Sequence, residues 1–167
     1  MSDEILSISD VADSEVQLAV FFIDEERYAI DIMKIKEIVK PMKTTPLPDV
    51  PDFIKGVINL RGVVLPVISM RERFGLSHEE TEESRIIIIG LKKITVGILV
   101  DAIEEVITIP LKDVKLPPKI AKGVDSTYLK GICRLGEDVL VLLDLDKILT
   151  SVEKVMVDEL KKKDSYR

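Results

Sequence analysis

Phe53-Ile-Lys-Gly-Val-Ile-Asn-Leu-Arg-Gly-Val-Val-Leu-Pro-Val-Ile-Ser-Met70 decides the reading of this chain. Two apolar runs meet through Asn59-Leu60-Arg61-Gly62. Val57-Ile58 and Val63–Ile68 are β-branched and flanked by glycine or proline, which predicts a pair of strands. Gly56 and Gly62 fall where the chain is expected to enter and leave a tight connection, a place for residues that tolerate positive φ. Asn59 and Arg61 stand between strands that would otherwise be all core. They are either turn chemistry or a presented surface.

The stretch recurs. Tyr128-Leu-Lys-Gly-Ile-Cys-Arg-Leu-Gly-Glu-Asp-Val-Leu-Val-Leu-Leu-Asp-Leu145 lies on it without a gap, Gly131 on Gly56 and Leu135 on Leu60, 75 positions apart. Upstream, Tyr28-Ala-Ile-Asp-Ile-Met-Lys-Ile-Lys-Glu-Ile38 aligns with Val96-Gly-Ile-Leu-Val-Asp-Ala-Ile-Glu-Glu-Val106 at a spacing of 68. The difference is an insertion in the loop carrying Pro110, Pro117 and Pro118. The chain therefore reads as two copies of one small β unit. Five strands per copy, each copy too small to bury a large core alone, predict two small closed or nearly closed barrels packed together.

Composition fits this. The 167 residues are 46% hydrophobic but only 4% aromatic, with no Trp, so Ile, Val and Leu must fill the core. A net charge of −6 and the lack of a Lys/Arg cluster in any predicted strand or loop argue against nucleic acid. The single cysteine, Cys133, excludes an internal disulfide framework and a structural zinc site. No apolar run is long enough to span a membrane. The first residues lack the basic start and apolar core of a signal peptide. A cytoplasmic protein is expected.

In chain order, a hairpin is predicted from Gln17–Ile23 and Arg27–Ile32 about an Asp24-Glu25-Glu26 turn, with Tyr28, Ile30 and Ile32 on one face. A helical turn over Asp31–Ile35 leads into a strand, Ile35–Val39. Prolines 41, 46, 48 and 51 hold an extended connection. Asp52 is placed to cap a short turn of helix ending at Gly56. After the organising pair comes a helical turn, Met70–Gly75, and an acidic linker, Leu76–Ser84. Arg85–Leu91, Ile94–Val100 and Ile103–Ile109 are the next strands, with Lys92-Lys93 as a turn. Asp144 is expected to cap an amphipathic helix carrying Leu145, Ile148, Leu149, Val152, Met156 and Leu160 at helical spacing. The division is one domain, 15–152, with subdomains of about 15–80 and 81–152 intertwined at their ends. Residues 1–14 are an expected flexible start, and 153–167 a helix extension and polar tail with Lys161-Lys162-Lys163.

Catalytic chemistry lacks its parts. There is no phosphate-cradling glycine motif, Cys-x-x-Cys, His-Glu-x-x-His or Gly-x-Ser-x-Gly. His78, the one histidine, lies in the acidic linker and reads as a surface residue. Cys133 lies inside a strand, with Arg134 on the opposite face, and reads as core. No catalytic residue, metal site or cofactor is expected. Two features resist a structural reading. Arg61 is either a solvated turn residue or an interface anchor. In Ile35-Lys36-Glu37-Ile38-Val39, plain alternation puts Ile35, Glu37 and Val39 on one face and Lys36 and Ile38 on the other. That stripe is either core with a misplaced Glu or an exposed groove wall for an amphipathic helix. Ile103, Glu105 and Ile107 repeat it.

These residues resemble a known family. Phe53 to Val67, the Tyr28–Ile38 pattern and Val96–Asp101 are similar to the CheW adaptor family of bacterial chemotaxis, over about Glu15 to Val152. The resemblance implies a mainly β protein of two SH3-like five-stranded barrels, acting as a non-enzymatic scaffold. It implies two partners, the cytoplasmic tip of methyl-accepting chemoreceptors and the regulatory domain of the histidine kinase CheA, and recruitment to membrane receptor arrays. Receptor contact is implied for Ile35, Glu37, Val39, Gly56, Asn59, Arg61 and Gly62. The kinase surface is expected only coarsely, on hairpins of the second copy and the Pro110–Thr127 loop. A monomer is expected in isolation. The same module serving a non-flagellar receptor–kinase pathway is the alternative, and a ligand-binding double barrel or an enzyme the rival from another class.

Overall fold

A computed structural model describes residues 14–91, 94–116 and 129–148. The flexible start, the Lys92-Lys93 turn, most of the second proline loop, and the C-terminal helix and tail beyond residue 148 lie outside the described residues. Among the described residues, ten strands form two five-stranded sheets: β1 (Glu15–Ile23), β2 (Glu26–Asp31), β3 (Ile35–Val39), β4 (Ile54–Leu60), β5 (Val63–Ser69), β6 (Arg85–Gly90), β7 (Thr95–Val100), β8 (Ala102–Pro110), β9 (Leu129–Leu135) and β10 (Asp138–Leu143). One sheet runs β8-β1-β2-β10-β9 and the other β3-β6-β7-β5-β4. Each curls into an SH3-like barrel, barrel one and barrel two respectively.

The two orders are the same order under the sequence repeat. Each copy gives its first two strands to one barrel and its last three to the other. The spatial division therefore does not follow the chain division near residue 80: the copies are exchanged throughout, not only at their ends. Connection length explains this. A single residue, Asp101, separates β7 from β8, one fewer than a tight hairpin needs. The chain runs on into the other barrel. Between β2 and β3, a 3-10 turn over Ile32–Lys34 redirects the chain instead of reversing it, capped by Asp31, whose Oδ1 accepts from the Met33 amide at 2.9 Å. This is the helical turn the sequence predicts.

Each barrel is closed by a strap. After β3 the chain returns along the free edge of β4, where Thr45 and Val57 exchange backbone hydrogen bonds of 2.8 Å. After β8, Lys115 and Ile132 of β9 do the same, also at 2.8 Å. The expected helical turn ending at Gly56 is absent. Residues 52–53 form a plain turn, and β4 has already begun at Ile54. Gly56 lies inside that strand at a register shift, with φ of 137°. Helix α1 (Met70–Arg73) follows β5, capped by Ser69. A helical turn over residues 145–148 holds the equivalent place in barrel one, with Asp144 as its cap.

Among the described residues, three apolar clusters hold the fold. Leu18, Val20, Ala29, Cys133, Leu140 and Leu142 fill barrel one. Ile58, Leu65, Val67, Ile86, Ile88 and Leu99 fill barrel two. The largest cluster lies between the barrels and takes Phe21, Tyr28 and Ile30 from one and Ile54, Ile87, Ile89 and Ile98 from the other. Each such side chain contributes about 1.5–3 kcal/mol when fully buried. Neither barrel can keep this face in water, so the pair folds as one unit.

Candidate functional site

Gly62 and Arg61 form the two-residue turn between β4 and β5. Both have positive φ, 89° and 51°, the combination that a tight hairpin with right-handed strand twist requires. Asn59 supports the turn: its Oδ1 accepts from the Gly62 amide at 2.8 Å. Glycine and asparagine are the ordinary residues for such φ values. Arginine is not, and the left-handed region costs it about 1 kcal/mol. The repeat shows the ordinary choice, because Gly136 stands at the place of Arg61, with φ of 66°.

What the arginine does there is visible. Its Nη2 donates to Glu37 Oε2 on β3, an ion pair across the mouth of barrel two. Arg61 is 68% exposed and Glu37 34%, so the pair adds little stability, about 0–1 kcal/mol. Barrel one has Glu105 where barrel two has Glu37, and only a glycine opposite it. The ion pair is thus a property of one barrel and not of the fold.

A β-bulge corrects the expected stripe on β3. Ile35 pairs with Ile89, and Glu37 with Ile88, so Lys36 is the extra residue. The bulge shifts the side-chain phase by one. Ile35 and Ile38 consequently face the inter-barrel side, opposite Ile89 and Ile87, and Glu37 and Val39 face the barrel-two interior side. Ile35 packs against the shared core and Val39 against the barrel interior. The exposed apolar residue of the strand is Ile38, and Ile35, Glu37 and Val39 are the half-buried ones, as plain alternation gives. β8 repeats the bulge: Phe21 pairs with Ile103 and Val20 with Glu105, leaving Glu104 as the extra residue.

The hairpin adds two more exposed apolar residues, Val63 and Val64. Behind it lies a shallow groove of about 400 Å³, lined by Met42, Thr45, Val57, Asn59 and Val64. Ile38, Val63 and Val64 were not singled out by the sequence. The available signal for the two valines was their position immediately after a turn, where no neighbouring strand covers them. Gly56, by contrast, is buried. A Cβ there would lie 2.0 Å from the Thr45 carbonyl oxygen, so its task is to let the strap close.

The other candidates sort simply. Cys133 is buried in barrel one, and burial followed by the Asp113 charge pushes its thiol pKa up. His78 is more engaged than a plain surface residue. Its Nδ1 is 3.6 Å from Glu72 Oε1 and its Nε2 3.8 Å from Glu80 Oε2. Lys55 Nζ donates to the same Glu72 oxygen at 2.6 Å. Among the described residues no group of three or more His, Cys, Asp or Glu side chains is placed to hold a metal ion. None of their helices is long and apolar enough to cross a membrane.

The site is a double SH3-like barrel with an arginine-tipped hairpin and an exposed apolar rim. Residues 17–153 match the CheW-like domain family. The chain is 37% identical over 149 residues to the chemotaxis protein CheW of Treponema pallidum, covering 86% of this chain and 87% of that one. It is 37% identical to the chemotaxis protein CheW of Bacillus subtilis, over 80% of this chain and 86% of that one. The crystal structure of the scaffolding protein TtCheW from Thermoanaerobacter tengcongensis superposes with a TM-score of 0.74 at 34% identity, covering 79% of this chain and 86% of that one. The chain belongs to the CheW-like domain family, a family of chemotaxis scaffolds.

Proposed function

We propose that this protein couples methyl-accepting chemoreceptors to the histidine kinase CheA, binding the receptor tip with one surface and the kinase regulatory domain with another, without cofactor or catalysis. The receptor surface is assigned to the hairpin tip and its neighbour strand. Arg61, Glu37, Asn59 and Gly62 form its polar part. Ile35 and Val39 support it from beneath, and Gly56 holds the backbone. Ile38, Val63 and Val64 join them as the exposed apolar part.

One observation carries this reading. Arg61 holds a left-handed backbone conformation that the repeat gives to glycine. Strain kept at one copy, for an ion pair worth little to folding, points to a role outside the fold. Chemoreceptor tips are helical hairpins, and a helix docks on an apolar strip with charges that set its register. The kinase surface is assigned to the second-copy hairpin β9–β10 and the loop before it. The protein acts in the cytoplasm, at receptor arrays.

The test is a binding titration with a soluble receptor-tip fragment and, separately, the CheA regulatory domain. The expected result is that both bind the wild type and that Arg61→Ala loses at least about tenfold for the receptor fragment alone, a 1.4 kcal/mol effect. Equal loss for both partners, or for neither, overturns the assignment of the hairpin.

A further inference from the structure

The chain passes between the barrels at two equivalent places, the Ile32–Lys34 turn and Asp101. They are held very differently. At Asp101, one carboxylate oxygen accepts from two elements and the backbone amide ties the residue to a third. Oδ2 accepts from Arg71 Nη1 at 2.6 Å and from the Asp24 backbone amide at 2.7 Å, and the Asp101 amide donates to Phe22 O at 3.0 Å. Asp24 belongs to the β1–β2 turn of barrel one and is left-handed, with φ of 58°. Arg71 belongs to α1 of barrel two and is only 8% exposed. Its Nε donates to Ser77 O at 2.9 Å, its Nη2 lies 3.3 Å from Glu79 Oε2, and its Nη1 lies 3.7 Å from Asp24 Oδ1.

The other crossing carries the Asp31 cap and a long ion pair, Lys34 Nζ to Asp146 Oδ1 at 3.7 Å, with side chains 41% and 64% exposed. Asp146 stands in the repeat where Arg71 stands in the first copy. One crossing is therefore a directional, charge-assisted junction around a buried guanidinium, and the other carries a longer ion pair between exposed side chains.

The distinction matters because the core between the barrels is apolar. Dispersion and apolar burial are non-directional, so they set the angle between two curved sheets less sharply than directional bonds do. A planar fork serving three acceptors has one good orientation.

We infer that Arg71 is a positioning residue that fixes the angle between the two barrels, and through it the receptor-binding face. The second part rests on the proposed receptor function; the first does not. Burial by itself would lower the pKa of Arg71, but the Asp101 hydrogen bond and charge, then Glu79 and Asp24, outweigh it and raise it.

The test uses the full chain with Cys133→Ala, carrying spin labels at Gln17→Cys on barrel one and Lys43→Cys on barrel two, both exposed positions. Distance distributions are measured with Arg71, Arg71→Met and Arg71→Lys, under conditions where each variant is fully folded by circular dichroism. The expected result is a single narrow distance for Arg71, a broadened or shifted one for Met, and an intermediate one for Lys, which keeps the charge but not the fork. Where the Met variant does not fold, the Lys variant decides. An unchanged distribution overturns the junction whatever happens to melting temperature. Receptor-fragment affinity is read on the same samples, and a loss of about tenfold is expected to accompany the change in distance. Changed distance with unchanged affinity overturns the link to the receptor face. Failure of the unlabelled wild type to bind the fragment removes the receptor reading and leaves the distance result to judge Arg71.

Discussion

Gly56 and Gly131, 75 positions apart in the chain, sit beneath the same strap in the two barrels. A Cβ on Gly56 would come within 2.0 Å of Thr45 O, and one on Gly131 within 2.8 Å of Lys115 O and 2.6 Å of Val114 Cγ1. The first obstacle is backbone at a positive φ. The second includes a movable methyl group. Gly56→Ala is expected to cost about 3 kcal/mol or more and Gly131→Ala about 1–2 kcal/mol, the range for overpacking a closed site. Urea unfolding of both variants checks the order. A reversed order would show that strap closure is not what these glycines serve.

Arg61→Gly separates backbone strain from side-chain function. The variant relieves about 1 kcal/mol of left-handed cost and removes an exposed ion pair of comparable or smaller value. Stability should stay within about 0.5 kcal/mol of wild type or rise slightly, while receptor-fragment binding falls as for Arg61→Ala. A clear loss of stability would make Arg61 a structural residue.

The bulge on β3 predicts opposite outcomes for two isoleucines three positions apart. Ile35→Ser removes packing from the shared core and should cost about 1–2 kcal/mol. Ile38→Ser acts at an exposed position and should change stability by less than about 0.5 kcal/mol, yet weaken the receptor complex. Without the bulge, Ile38 would leave the Ile35 face, and its exposure would carry no meaning for docking.

Tyr28 gives a pH dependence with a definite sign. Burial, then the Glu26 and Asp24 charges, raises its pKa above 10. The folded state therefore keeps this proton when the unfolded state has lost it. The contribution is fully present below about pH 10 and is lost as pH rises toward the folded value. Denaturant midpoints measured from pH 8 to 11 should fall more steeply for the wild type than for Tyr28→Phe. Parallel curves would place the alkaline loss elsewhere.

The sequence by itself determined the strands, the internal repeat and the turn at Arg61-Gly62. Each rests on local rules: β-branched runs bounded by breakers, alternation over short stretches, and glycine where φ is positive. It also carried the family, because the Asn59–Gly62 block with its flanking strands is specific in combination. Only the tertiary structure decided three things. Strand exchange between the copies depends on where a one-residue link can send the chain, and periodicity is blind to that. The β3 bulge depends on pairing with β6, so Ile35 and Glu37 read as one stripe until that register is known. The Arg71–Asp101–Asp24 junction joins residues 30 to 77 positions apart, and a buried charge finds its partners through space. Local chemistry sets each element; burial and long-range hydrogen bonding set which elements meet.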